Sequence, residues 1–277
     1  MPNSAYQPQS VDTSVESDRV FFHLLRQQSP LQRLIMGNEM VRSARQLSLS
    51  SLRSRFGNLP EPAFAQKVAL AWLQENLPLN FTPHLNQMTW IQDSTGLAAI
   101  LHRVFTRLAV PYYITGGVAA IAYGEPRTTR DLDIVMDIAP TNIDRLVAAL
   151  EAEGFYVPGV EDVKVGRMTT LGITHIESIS RADLVLSPSG DFDHSKFQRI
   201  RPIEVPGVGA LNFASPEDVI LAKLRWGQRS QSEKQWRDVL GILKVQGESL
   251  DFAYLNQWAE RLDLTELLQR AIAAAGL

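Results

Sequence analysis

The sequence predicts an α+β fold, a mixed β-sheet core flanked by helices, with a helical region before it and further helices after it. Three observations predict it. Apolar residues recur at 3–4 spacing between Arg19 and Leu77, short β-rich runs cluster between Tyr112 and Phe213, and a cap-plus-proline signature at Ser215-Pro216 opens a helical run to the C-terminal end.

Residues 1–18 are rich in Pro, Asn, Gln and Ser and read as a disordered or loosely attached tail. Residues 19–90 form a helical N-terminal region. Phe21, Phe22, Leu24 and Leu25 begin one helix, and Ser29-Pro30 is an N-cap followed by a proline at the first helical position. Gly57-Asn58-Leu59-Pro60 breaks the pattern, Pro62 to Leu77 restarts it, and residues 78–90 have linker composition. Residues 91–214 form the α/β core. Asp93 is the N-cap of a helix to about Ala109, Tyr112–Thr115 is a strand, and Gly116-Gly117 turns into a short helix closed by Gly124. Asp131–Ile138 is a strand and Pro140–Glu153 a helix stopped by Gly154. Further strands are expected at Phe155–Val157, Met168–Glu177, Ala182–Ser187, Phe197–Val205 and Val208–Phe213. Residues 215–277 are the C-terminal helical region, with helices at 216–226, 233–246, 251–262 and 264–275.

With 277 residues, 45% hydrophobic and 21% charged, the composition is that of an ordinary globular chain of one large or two modest domains. There is no cysteine, which removes thiolate zinc sites, disulfides and cysteine nucleophiles. A net charge of −3 argues against a protein that coats nucleic acid. No apolar run approaches a membrane span, and Met-Pro-Asn-Ser-Ala-Tyr lacks the features of a secretory signal, so a cytoplasmic protein with no membrane partner is expected.

The chemistry centres on Asp131-Leu132-Asp133-Ile134. Residues two apart on a strand share a face, so both carboxylates project together while Leu132 and Ile134 enter the other side. Such a pair repels itself unless a cation intervenes, which makes it a clamp for Mg²⁺; a solvated strand end is the plainer reading of an isolated Asp-x-Asp. The surroundings favour the clamp. Gly116-Gly117 lies between a strand and a helix, where backbone N–H groups approach phosphates. Arg127 and Arg130 follow, cations suited to phosphate oxygens, and Asp183 in Arg181-Ala182-Asp183-Leu184 is placed to be the third carboxylate of a two-metal site.

These features resemble the DNA polymerase beta-type nucleotidyltransferase superfamily. The string from Thr115-Gly116-Gly117 through Gly124-Glu125-Pro126-Arg127-Thr128-Thr129-Arg130-Asp131-Leu132-Asp133 looks most like bacterial AbiEii-type, toxin-like nucleotidyltransferases. Ser215-Pro216-Glu217-Asp218 through Lys223-Leu224, and Arg237-Asp238-Val239, are similar to that family's later helices. The resemblance covers roughly residues 95–245, and residues 1–90 resemble nothing whose function carries over. It implies a nucleotidyltransferase-like core in which Asp131, Asp133 and Asp183 are catalytic and hold two Mg²⁺ ions, with an NTP as substrate. Gly116, Gly117, Arg127, Arg130 and Lys223 would bind the nucleotide, and Asp238 is a further candidate. The implied acceptor is a hydroxyl of tRNA or protein, and any antitoxin would be a separate chain. Two other readings share these residues: a small-molecule transferase of the aminoglycoside-modifying kind, and a catalytically idle nucleotide- or partner-binding module.

Other features carry less. Asp191-Phe192-Asp193-His194 reads as a solvated loop, the five histidines have no ligand-like spacing, and Trp226 and Trp236 read as core. Arg42, Arg45, Arg53 and Arg55 read as a solvated helix face rather than an RNA-tracking stripe. Neither a Gly-Lys-Ser/Thr loop nor a nucleophile elbow is present.

Overall fold

The computed structural model describes residues 6–78, 81–85, 87, 89–187, 190–230 and 232–277. Residues 1–5 of the expected tail and positions 79, 80, 86 and 88 of the expected linker lie outside the described residues. The elements in order are α1 (Val15–Arg26), α2 (Pro30–Phe56), α3 (Glu61–Leu73), α4 (Ser94–Leu108), β1 (Tyr112–Ile114), α5 (Gly116–Tyr123) and β2 (Asp131–Met136). Then come α6 (Ile143–Ala152), β3 (Phe155–Tyr156), α7 (Val160–Lys164), β4 (Thr170–His175), β5 (Ser180–Leu186), α8 (Asp191–Gln198), β6 (Arg201–Val205) and β7 (Gly209–Phe213). Helices α9 (Pro216–Ser230), α10 (Glu233–Gln246), α11 (Phe252–Arg261) and α12 (Thr265–Ala275) close the chain. The strands form a mixed sheet in the order β3-β4-β5-β2-β1-β7-β6, with β2–β5 and β1–β7 parallel and the β3–β4, β4–β5 and β6–β7 pairs antiparallel.

Local side-chain chemistry sets the helix starts. Ser29 Oγ accepts from Gln32 N–H while Gln32 Oε1 accepts from Ser29 N–H, a reciprocal cap ahead of Pro30. Asp93 Oδ1 accepts from Gly96 N–H at 3.0 Å and starts α4. Gly154, at φ +84°, supplies the left-handed stop after α6.

The chain divides into two units, one comprising residues 37–113 and 128–188 and the other residues 1–36, 114–127 and 189–277. In the first, Leu132, Ile134, Ala182 and Leu184 are buried on one face of β2 and β5, the side on which α4 meets β2. Helices α2 and α3 have a core of their own: Leu49, Phe64, Val68, Leu73 and Trp90 pack with Ile179 of the β4–β5 turn. Phe81 and Trp90, both buried here, lie within the stretch whose composition reads as linker.

In the other unit α10 is central. Residues Asp238 to Val245 are all buried, and α1, α5, α9 and α12 pack around the helix. Several expectations are corrected here. Residues 6–18 are not a loose tail: Tyr6 Oη donates to Asp18 Oδ2 at 2.6 Å, and Lys244 Nζ of α10 donates to the same oxygen at 2.6 Å. Asp18 and Lys244 are almost fully buried, at 2% and 1% exposure. Asp191–His194 opens α8 rather than a loop, and Phe197 and Gln198 belong to that helix instead of a strand, which begins at Arg201. The ring of Phe192 packs 4.8 Å from that of Trp258, an anchor 66 positions away that local pattern does not reveal. Trp226 is 67% exposed rather than core.

Candidate active site

The carboxylates stand on the first of these units. Parallel pairing sets Asp133 directly opposite Asp183 and Asp131 opposite Arg181, on strands that lie about 4.8 Å apart. Asp131, Asp133, Arg181 and Asp183 are all half-buried, and the alternate residues of both strands are buried. One sheet face therefore carries three carboxylates and one guanidinium. Arg181 answers the repulsion at one of them: its Nη2 and Nε donate to Asp183 Oδ1 at 2.8 and 3.2 Å. The next residue across, Gly172 on β4, pairs with Asp183. A Cβ there would come within 2.9 Å of Arg181 Nη2 and 3.3 Å of Asp183 Oδ1, so the absent side chain makes room for the ion pair.

Three carboxylate donors on one face match a hard divalent cation such as Mg²⁺ in chemistry and in register. As the side chains stand, no three acidic or histidine groups among the described residues close on a single point. Asp183 has its Oδ1 turned to Arg181.

Beside Asp131 a cavity of about 300 Å³ runs back to α2 and α3. Arg130, Asp131 and Arg181 line one side of it, and Arg45 and Trp72 the other. Arg45 corrects the reading of a solvated face. Its guanidinium donates to Trp90 O at 2.8 Å, Ser178 O at 3.0 Å and Ser180 Oγ at 3.1 Å, and stacks 4.7 Å from the Trp72 ring centroid. Burial pulls its pKa down to about 10, still charged at neutral pH. Trp72 is fixed as well, its Nε1 donating to Ser48 Oγ at 2.9 Å.

The other unit holds the remaining predicted residues except Arg130, which lies in the unit of the carboxylates. Gly116 opens α5 at φ +60°, a conformation that suits glycine, and Gly117 is buried. Arg127 grips Asp238 with two hydrogen bonds of 2.7 Å, from Nε to Oδ1 and from Nη2 to Oδ2. Lys223 Nζ lies 2.6 Å from Asp238 Oδ2 and donates to Gln235 Oε1 at 2.9 Å. Burial pushes the Asp238 carboxyl up, but the hydrogen bonds from Arg127 and the charge of Lys223 outweigh it, so its pKa falls below the usual carboxylate value. Arg127, Lys223 and Asp238 thus form one largely buried network. Arg130 is exposed, and its Nη1 donates to Gln74 Oε1 at 2.7 Å.

Sequence reasoning assigned no role to Arg181, Gly172 or Trp72, and read Arg45 as part of a solvated helix face rather than an RNA-tracking stripe. For Arg181 a signal existed, since it shares the strand parity of Asp183. Arg45 and Trp72 carry none, because their partners are brought to them by tertiary packing.

No protein-family model and no curated protein matches the chain. Among solved structures, an antigenic nucleotidyltransferase-like protein from Paracoccidioides brasiliensis is similar at 19% identity over 63% of this chain and 91% of its own, with a TM-score of 0.41. The antibiotic-resistance factor ANT(2'')-Ia is similar at 13% identity over 63% and 97%, with a TM-score of 0.43. A CCA-adding enzyme in complex with ATP is similar at 14% identity over 64% and 51%, with a TM-score of 0.31. These likenesses are too distant to assign an activity, which has to come from the side chains.

Proposed function

We propose that this chain is a metal-dependent nucleotidyltransferase that moves an NMP from an NTP to a hydroxyl acceptor, in the manner of the AbiEii-type toxin-like enzymes it resembles. The observation that carries the reading is the register of β2 and β5, which sets Asp133 against Asp183 with Asp131 two residues away on the same face. Carboxylates gathered on one sheet face are the hard oxygen donors that a divalent cation takes. Asp131 and Asp133 would hold two Mg²⁺ ions with Asp183 completing one shell. Bound there, the ions supply charge neutralisation at the phosphates and acidify the acceptor hydroxyl. The acceptor oxygen, its proton passed to water, forms a bond to the α-phosphorus as the bond to the β-phosphate oxygen breaks and pyrophosphate leaves. Gly116 and Gly117 would offer backbone N–H groups to the phosphates. Lys223, Arg127 and Arg130 would add cations for the triphosphate. The acceptor would be an RNA such as tRNA, or a protein, and an antitoxin, if one acts on this chain, would be a separate protein.

Transfer of label from each α-³²P NTP, with Mg²⁺, into total RNA and lysate protein tests the reading. Labelling by the wild type that is lost in Asp131→Ala/Asp133→Ala supports it. No labelling of either fraction by a folded protein that binds NTP would sink transfer to a macromolecule.

A further inference from the structure

We infer that the cavity between Trp72 and Asp131 receives the terminal nucleotide of a single-stranded nucleic-acid acceptor, so that α2 and α3 are a substrate-binding element of the enzyme. The inference rests on the transferase reading and deepens it. Its volume of about 300 Å³ is at the small end for a ligand site and suits one nucleoside-sized group. Its charged lining is three arginines and one aspartate, Arg45, Arg130 and Arg181 against Asp131. Arg45 is spent on backbone carbonyls and on the indole. Arg130, whose Nη1 holds the neutral Gln74 amide, and Arg181, whose partner is Asp183, line the cavity with Asp131, and the exposed Arg130 keeps a charge suited to a phosphodiester.

The wall is built rather than incidental. Ile179, a β-branched residue at φ +49°, sits in the turn whose carbonyls and hydroxyl Arg45 binds, a strained conformation held by α2. The same arginine and Ser48 fix the Trp72 ring, leaving a rigid aromatic wall of the kind that takes a base. Asp131 lines the cavity itself, and Arg181, which also lines it, is the ion-pair partner of Asp183, so the cavity adjoins two of the three carboxylates that would hold the ion acidifying the acceptor hydroxyl. That places the pocket on the acceptor side. A cationic acceptor such as an aminoglycoside would meet like charge there.

Fluorescence anisotropy of labelled single-stranded RNA and DNA decamers against the full chain, with Mg·ATP binding measured by calorimetry, tests the pocket. Trp72→Ala should weaken the preferred decamer about tenfold, with Trp72→Phe restoring most of the affinity. Ala44 is exposed on α2 and lines the cavity, so Ala44→Glu should weaken binding by charge without disturbing the fold, and Ala44→Lys should not. Affinity for Mg·ATP should stay within about twofold in all four. Preference for the RNA or the DNA arm identifies the acceptor's sugar and supports the pocket in either case. If neither decamer binds, if Trp72→Ala and Ala44→Glu leave decamer affinity unchanged, or if they weaken Mg·ATP instead, the pocket is overturned. Wild-type label transfer alongside such a result would leave the transferase standing, whereas absence of transfer would remove the reading on which the pocket rests.

Discussion

Arg181 donates two hydrogen bonds to Asp183 in the space that Gly172 leaves open. In the proposed metal site this guanidinium would compete with the divalent ion for the Asp183 carboxylate. Arg181→Met is expected to bind Mn²⁺ about fivefold or more tightly than the wild type, because a charge-assisted hydrogen bond of about 1.5–3 kcal/mol no longer has to be broken. Titration followed by Mn²⁺ electron paramagnetic resonance measures this directly. Unchanged or weaker Mn²⁺ binding would mean that Arg181 does not compete for Asp183.

Asp238 bonds two cations, Arg127 and the buried Lys223. Asp238→Asn leaves Arg127 and Lys223 facing a neutral amide, and removal of one partner of a buried pair typically costs about 3–5 kcal/mol. Urea unfolding should register a loss of that order. A loss under about 1 kcal/mol would show that the network is not a structural support of this unit.

Asp18 and Lys244, 226 residues apart, form a further buried pair. Burial raises the Asp18 carboxyl, but hydrogen bonds from Lys244, Tyr6 and the Gln9 N–H bring it below its usual value. Asp18→Ala is expected to destabilise the protein by about 3–5 kcal/mol, and removal of residues 1–18 by at least as much. A truncated protein as stable as the full chain would restore the picture of a dispensable tail.

Stability should fall with acid in two stages. Burial lowers the pKa of His175, whose Nδ1 lies 2.9 Å from Ser178 Oγ, so the folded state prefers the neutral ring. The unfolded chain then takes up the proton first, and stability declines as pH drops below about 6.5. Asp18 and Asp238, with folded values depressed, contribute stability that is present above about 3.8 and lost as pH falls through their lower folded values. Asp218 acts oppositely: burial raises its pKa, so its contribution is lost as pH rises through that raised value. Thermal melts from pH 8 to 5 should slope downward with acid in the wild type and be flatter in His175→Asn. Equal slopes would remove His175 from the cause.

Much of this was legible in the sequence, for physical reasons that can be named. Asp131 and Asp133 follow from strand parity, and Ser29-Pro30, Asp93 and Gly154 are local capping and stop signals. Asp183 opposite Asp133 was a reasonable expectation once two buried-face strands were recognised, though the register itself comes from sheet pairing. The rest depends on partners far away in the chain. Asp18 becomes buried because Lys244 meets it, Arg45 turns inward because the β4–β5 turn presents carbonyls, and Asp191–His194 becomes helical because Phe192 finds Trp258. Composition weighs such residues as polar and therefore exposed.

The most direct measurement is single-turnover label transfer by Asp131→Ala, Asp133→Ala and Asp183→Ala, each tested alone beside the wild type. Each change removes an oxygen ligand that would stabilise the transition state by several kcal/mol, so each variant is expected to lose about a hundredfold or more in rate while melting near the wild-type temperature. Transfer at the wild-type rate in any one of the three would contradict a catalytic centre built on the facing of Asp133 and Asp183.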